Sequence, residues 1–296
     1  MRSQLSRFLQ YFLFWMIFFL IAKALFLIWN FETTSHLSVS EISGIFWHGL
    51  KMDISIACYL LILPGLLLVL RIFLPSTFVN RFVYGYTLIF LIVASMLVVL
   101  DLGLYPHWGT RVNVTIFNYI GDPVAVGASV SFSDVLLGLL LGGSLIGSFL
   151  YLFRFLFPEG VVCAGNVKWG AALFQLFLVA ALILPIRGGL DTSPLNLSSV
   201  AFSTKLYVNQ AASNYLWNFA KSVEKRKRFA NPCEYMEKDE SLRIFNEFQE
   251  QDTLVERPAL LKLQPNKQPN VILVILEGFS NKVIAELGGL NGIAPN

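Results

Sequence analysis

Hydrophobic side chains fill five long runs within the first 186 residues, and shorter polar segments separate these runs. The runs extend from about Phe8 to Trp29, Met52 to Phe73, Phe82 to Leu100, Val135 to Phe157 and Trp169 to Ile186. An α-helix needs about 20 apolar residues to cross the hydrocarbon of a bilayer, and each run approaches or reaches that length. The pattern therefore predicts an α-helical membrane protein with five transmembrane helices in residues 1–186.

The segments between these runs carry weaker patterns. Residues 39–51 place apolar side chains at helical spacing among polar ones, which predicts an amphipathic helix in the membrane interface ahead of the second span. Residues 101–132 have the prolines, glycines and polar side chains of an irregular loop. The fourth run contains several glycines, which favour close helix packing.

A few charged residues stand in or beside the apolar runs. Lys23 interrupts the first run, and such a lysine either has a function or extends its long stem to the interface. We favour the second interpretation because Lys23 is close to the end of its run. His48, Lys51 and Asp53 begin the second run, where they suit either a lipid head group or a solvated helix start.

Composition and charge complete the description of the membrane part. With 55% hydrophobic and 14% charged residues, the chain is too apolar for a soluble protein. The three cysteines are too scattered for a disulfide framework or a thiolate metal site. Basic residues favour one set of span ends, which by the positive-inside rule predicts a cytoplasmic N-terminus and an extracytoplasmic chain after Ile186. The basic residues concerned are Arg2, Arg7, Arg71, Arg81, Arg154 and Lys168.

Residues 187–268 have an ordinary polar composition and predict an extracytoplasmic helical linker. Glycines and a proline end the last membrane helix, and one new helix is predicted from near Ser198 to about Arg228. Its end is the basic run Lys225–Arg228, which suits either anionic lipid head groups or a solvated helix end. An extracytoplasmic location excludes nucleic acid as a partner.

The last 28 residues, 269–296, contain a different pattern. The apolar residues 271–276 read as a strand that is buried on both faces of a parallel sheet. Glu277 follows at the carboxyl end of this strand, where open α/β sheets bind ligands and metals. Glu277 is therefore the candidate metal ligand, and the alternative is that it caps the next helix.

The stretch Pro269-Asn270-Val271-Ile272-Leu273-Val274-Ile275-Leu276-Glu277-Gly278-Phe279-Ser280 resembles the first strand of the catalytic domain in the alkaline phosphatase/sulfatase superfamily. It is most similar to the lipoteichoic acid synthase (phosphoglycerol transferase) branch. The resemblance implies that Glu277 binds a catalytic divalent metal, which is Mn²⁺ or Mg²⁺ in the synthase branch and Zn²⁺ in the related phosphoethanolamine transferases. Gly278 departs from the Ser most often expected there.

A second stretch resembles the linker that follows the fifth span in the same family. It comprises Arg187-Gly188-Gly189, Pro194-Leu195-Asn196 and Asn209-Gln210-Ala211-Ala212-Ser213-Asn214-Tyr215-Leu216-Trp217-Asn218. The two resemblances imply a bacterial cytoplasmic-membrane enzyme that moves phosphoglycerol or phosphoethanolamine from a phospholipid to an extracytoplasmic glycan or lipid acceptor.

Residues 269–296 are expected to supply only the start of a sulfatase-like α/β domain, truncated before its hydroxyl nucleophile and its remaining metal ligands. We therefore assign no catalytic residue and expect an incomplete, inactive fragment. Two alternatives stay open: a non-catalytic membrane module that binds lipid or a partner, and a sulfatase-like hydrolase. A transporter is disfavoured because Lys23 is the one charge expected within the spans.

Overall fold

The computed structural model describes residues 2–120, 131–162, 169–191, 193–228 and 235–253, and these contain helices and connecting turns but no strand. The predicted strand at residues 271–276 and its Glu277 lie outside this part of the chain. The chain divides into two compact units, Met1–Asn231 and Pro232–Asn296. The helices of the first unit position the site, and the described part of the second unit contains one helix, Lys238–Thr253.

Ten α-helices and one short 3₁₀-helix make up the described part of the first unit. The α-helices are α1 (Arg2–Trp29), α2 (Phe31–Thr34), α3 (Val39–Leu70), α4 (Ser76–Trp108), α5 (Ile116–Ile120), α6 (Phe132–Leu156), α7 (Trp169–Ala181), α8 (Ile183–Arg187), α9 (Leu206–Ala212) and α10 (Tyr215–Arg228). The 3₁₀-helix covers Leu197–Val200.

Among the described residues, five helical segments are long and apolar enough to cross a membrane. They are Leu5–Trp29, Val39–Leu70, Ser76–Trp108, Phe132–Leu156 and Trp169–Arg187. The prediction of five membrane helices is confirmed at this level, and the chain is a multi-pass membrane protein. We call the side on which α1 ends and residues 188–228 follow α8 the linker side.

The second span is longer than its apolar run, because α3 continues without a break from Val39 to Leu70. The separate amphipathic helix predicted at residues 39–51 is therefore wrong. Nothing in those residues breaks a helix, and a capping box at Ser38 and Glu41 fixes its start. With 32 residues, α3 is ~48 Å long, which exceeds the ~30 Å of bilayer hydrocarbon.

The third span also extends further than its hydrophobic run. α4 continues through residues 101–108, which the sequence assigned to an irregular loop, and Pro106 is accommodated within its last turn. The helix ends at Gly109, whose left-handed φ of 64° suits glycine at a helix C-terminus. Asp101 consequently lies inside a helix, and its position there decides its pairing.

Aromatic rings of α1 form much of the interior. Phe14 and Phe18 are buried and contact Phe149 of α6 edge-on, with ring centroids 5.7 and 4.8 Å apart. α6 also approaches α4 closely, since a Cβ on Gly138 would lie 2.9 Å from the Val99 side chain. The four glycines of α6 are not equivalent: Gly142 also faces Val99, whereas Gly143 and Gly147 have no described neighbour at that position.

The single helix predicted from Ser198 to Arg228 is wrong, because the chain forms a 3₁₀-helix, α9 and α10 in succession. Amide side chains stabilise both interruptions. The Oδ1 atom of Asn209 accepts hydrogen bonds from the backbone N–H groups of Phe202 and Ser203 at 2.9 and 3.0 Å. The turn at Ser213 and Asn214 then redirects the chain into α10. We call residues 197–228 the docked segment, because α9 packs on α3 and α1, and α10 packs on α4 and α3.

A buried charged network as the candidate functional site

The centre of the site is an ion pair between two membrane helices. The Lys23 Nζ atom of α1 lies 2.6 Å from the Asp53 Oδ2 atom of α3, and the two side chains are only 3% and 0% exposed. The prediction that Lys23 extends to the interface is therefore wrong. Lys23 has an acidic partner within reach, and α3 continues past this partner, so that the pair is enclosed.

Asn214 joins this ion pair to the docked segment. Its Nδ2 atom donates to the second carboxylate oxygen of Asp53 at 2.8 Å. Its Oδ1 atom accepts from the backbone N–H groups of Leu216 and Trp217, both at 3.0 Å. Asn214 thus caps the N-terminus of α10 while it binds α3, so Asp53 fixes the point at which α10 begins. These hydrogen bonds also reduce the cost of burying the carboxylate.

Gly49 of α3 allows this arrangement. A Cβ atom on Gly49 would clash with the Lys23 ammonium group and with the carbonyl oxygen of Ala212 at the end of α9. Glycine therefore lets α3 approach α1 and α9 closely at this point, because it has no side chain.

We expect Gly49→Ala to destabilise the protein by about 1–3 kcal/mol, the usual cost of inserting a methyl group into a packed site. Thermal unfolding of the purified protein in detergent measures this change. The matched control is Gly85→Ala in α4, where an added Cβ meets no described atom within 4 Å. Equal melting temperatures for the two variants would contradict the close approach at Gly49.

A second buried ion pair links α4 to the segment that follows it. The Arg111 Nη2 atom lies 3.1 Å from the Asp101 Oδ2 atom, and both side chains are 2% exposed. The other Asp101 oxygen accepts from the Val112 backbone N–H at 2.7 Å. The Arg111 guanidinium also lies over the Phe26 ring, 3.9 Å from its centroid, which adds a cation–π attraction.

The docked segment contacts this second pair as well. The Gln210 side chain accepts from the Arg111 backbone N–H at 3.2 Å, and the Asn218 side chain donates to the Val112 carbonyl oxygen at 2.9 Å. The Tyr215 hydroxyl donates to the Ala94 carbonyl oxygen of α4 at 3.1 Å. Burial raises the pKa of Tyr215 well above its ordinary value, so the phenol stays neutral and can donate.

The position of the network along the helices relates it to one surface of the bilayer. Each of three charged residues of the network has an arginine at or next to the opposite end of its helix, 16 to 20 residues away. The pairs are Arg7 and Lys23, Asp53 and Arg71, and Arg81 and Asp101. At 1.5 Å per residue these separations are ~24–30 Å, close to the ~30 Å of hydrocarbon. The network therefore lies near the hydrocarbon boundary on the linker side.

The cluster that His48, Lys51 and Asp53 would form at a lipid head group does not assemble. Asp53 faces α1, while the His48 ring stacks on Phe202 with centroids 4.4 Å apart and planes 12° from parallel. Lys51 is exposed. The cause is helical geometry: His48 and Lys51 are three residues apart and share one face of α3, whereas the turn of about 100° per residue points Asp53 away from both.

The sequence pattern predicts one charge within the membrane spans, whereas the described residues contain four buried ones, Lys23, Asp53, Asp101 and Arg111. The sequence pattern places Asp53 at a lipid head group or a solvated helix start and Asp101 in a loop, and it gives no role to Arg111 or Asn214. One usable signal was present. A lysine near the end of one span can pair with an acid of a neighbouring span, and Asp53 and Asp101 stand near the ends of two other spans on the same side.

The described network can hold helices together, and it balances two positive side chains with two carboxylates. Within residues 2–120, 131–162, 169–191, 193–228 and 235–253, no group of three or more His, Cys, Asp or Glu side chains could hold a metal ion. Glu277, the predicted metal ligand, lies outside these ranges. Comparison of the chain with family models, curated proteins and solved structures finds no match.

Proposed function

We propose that this chain is the membrane part of a phospholipid-dependent phosphotransferase of the lipoteichoic acid synthase type. The observation that carries the proposal is the docking of residues 209–218, one of the two stretches with the family resemblance. Gln210, Asn214, Tyr215 and Asn218 of this stretch each bind the membrane helices or the chain next to them. The resemblance therefore coincides with the residues that attach the docked segment to the bundle.

Such an attachment suits an enzyme whose donor is a membrane lipid. A domain that begins near residue 269 would be tethered beside the bilayer, and the docked segment fixes where its connecting chain leaves the membrane helices. Tethering raises the effective concentration of a catalytic group at the lipid head group and reduces the entropy cost of reaching it. Without a docked segment, the point at which the chain leaves the membrane helices would not be fixed.

The proposal assigns a divalent metal to Glu277, with Mn²⁺ or Mg²⁺ preferred and Zn²⁺ as the alternative. A metal in such an enzyme would polarise the phosphoryl oxygens of the donor. One carboxylate is not a complete site, and the described residues add no metal-binding group. We therefore derive no step of the reaction through the metal, and the support for it is the resemblance of residues 269–280.

The test uses the protein in its full natural length, reconstituted in vesicles that contain phosphatidylglycerol or phosphatidylethanolamine. We expect diacylglycerol to form with Mn²⁺ or Mg²⁺, and the lipid head group with its phosphate to appear on a glycan or lipid acceptor. Release of the head group to water alone would indicate a sulfatase-like hydrolase. No consumption of either lipid would indicate a non-catalytic membrane module.

We further propose that the linker side is the extracytoplasmic side. Arg71, Arg81 and Arg154 support this orientation because they lie at the opposite ends of their helices. A reporter enzyme that is active only outside the cytoplasm should be active when fused after Asn296 and inactive when fused after Phe157. The reverse pair of results would overturn the orientation, and two equal results would overturn the count of five spans.

A further inference from the structure

The linker-side end of α3 presents two different faces. One face, with Gly49 and Asp53, is turned to α1 and α9. The other is turned to the chain that follows α7. On that second face His48 stacks on Phe202, and the Ser55 hydroxyl donates to the Ile186 carbonyl oxygen at 2.9 Å.

Lys51 lies on the second face, between His48 and Ser55 in helical register, and its side chain is exposed. No described acidic side chain pairs with it. Trp47, one turn earlier, is 73% exposed. Lys51 and Trp47 precede Asp53 on α3 by ~3 and ~9 Å, at 1.5 Å per residue, so both lie outside the hydrocarbon boundary on the linker side.

Arg187 stands at the same level. It directly follows Ile186, whose carbonyl oxygen is bound by Ser55, and its side chain is exposed. The Arg187 Nη2 atom donates to the backbone carbonyl oxygen of Asp191 at 3.2 Å, which holds the guanidinium at the turn. Leu190 in this turn is 88% exposed.

We propose that Lys51 and Arg187 bind the phosphate of an anionic phospholipid in the linker-side leaflet, with Trp47 beside its head group. Lys51 and Arg187 are exposed and each brings a positive charge to this surface. Anionic lipid supplies the complementary charge at the depth where these side chains project. Tryptophan is enriched at this depth because its indole is amphipathic.

This lipid contact does not rest on the proposed function, because the bound lipid is a ligand of the membrane part. In the test, wild-type and variant proteins are extracted from vesicles of phosphatidylcholine mixed with phosphatidylglycerol. Native mass spectrometry then measures which lipids each protein retains. We expect wild-type protein to retain phosphatidylglycerol preferentially. Lys51→Gln and Arg187→Gln should each lower that retention by about fivefold, the effect of one cation near a membrane surface.

The matched control is Lys221→Gln, which removes an exposed lysine of α10 that pairs with Glu224 at 2.6 Å. This variant should retain phosphatidylglycerol as the wild type does. If all three variants lost phosphatidylglycerol retention equally, the overall charge of the protein would explain the loss, and the proposed site would be overturned. Amine-reactive labelling of Lys51 gives a second readout, since phosphatidylglycerol should slow it. Protection from labelling in phosphatidylcholine vesicles as well would mean that polypeptide covers this face, which would also overturn the proposal.

Discussion

Asp53→Ala is expected to lower the free energy of unfolding by about 3–5 kcal/mol, because it leaves the Lys23 ammonium group buried without a counter-charge. The substitution also removes the acceptor of the Asn214 side chain, which holds the start of α10. We expect a lower melting temperature in detergent and faster hydrogen–deuterium exchange in α9 and α10. Exchange is the more specific readout, since the hydrogen bonds of the docked segment depend on this carboxylate.

The double substitution Lys23→Met with Asp53→Leu should recover much of the loss, because replacing a buried ion pair by apolar side chains is often neutral for stability. Faster exchange in α10 should persist in this variant, since Asn214 still lacks its acceptor. A second control is Glu41→Gln, which removes the negative charge that lies 2.7 Å from the Lys205 ammonium group; glutamine also suits the capping box, so stability should change little. Asp53→Ala with unchanged melting and exchange would show that the pair does not hold the docked segment.

Glu277→Gln in the full-length protein is expected to lower lipid-dependent transferase activity by more than about a hundredfold. Loss of a residue that only hydrogen-bonds to a metal ligand already costs about 10- to 100-fold, and this substitution changes the ligand itself. Glutamine keeps the size and hydrogen-bonding capacity of the side chain but removes the charge that a hard divalent cation requires. Membrane insertion and expression should stay normal. Excess Mn²⁺ should restore part of the activity.

Metal content, measured by elemental mass spectrometry of the purified protein, provides a readout besides activity, and we expect it to fall in the Glu277 variant. Glu224→Gln controls for a general loss of negative charge and should leave both quantities unchanged. If Glu277→Gln kept normal activity and metal content, the alternative that Glu277 only caps the following helix would be correct.

The five membrane spans are predictable from the sequence because crossing hydrocarbon is a local requirement. Each span must itself supply about 20 apolar residues and satisfy its own backbone hydrogen bonds. The run from Phe8 to Trp29 meets this requirement wherever the other helices lie, and it corresponds to the span Leu5–Trp29. The prediction for Glu277 is equally local, since it rests on one strand pattern and one family motif, and it stays a prediction.

The ends of α3 and α4 were harder to predict, because hydrophobicity marks where a helix leaves the hydrocarbon and not where it stops. Residues 39–51 and 101–108 extend α3 and α4 past the boundary. Their continuation is stabilised by the docked segment that packs against them. The break at Ser213 and Asn214 also depends on tertiary contacts. The Asn214 side chain caps α10 and donates to Asp53, and these hydrogen bonds stabilise the break over one continuous helix.

The composition and order of the chain determined its five helices that are long and apolar enough to cross a membrane, because hydrocarbon selects apolar residues one helix at a time. Only the tertiary structure decided which buried charges meet. Lys23 and Asp53 are 30 residues apart, and Asp53 and Asn214 are 161 residues apart. A charge can be buried only beside its partner, and such partners come together through the packing of whole helices, which local sequence patterns do not encode.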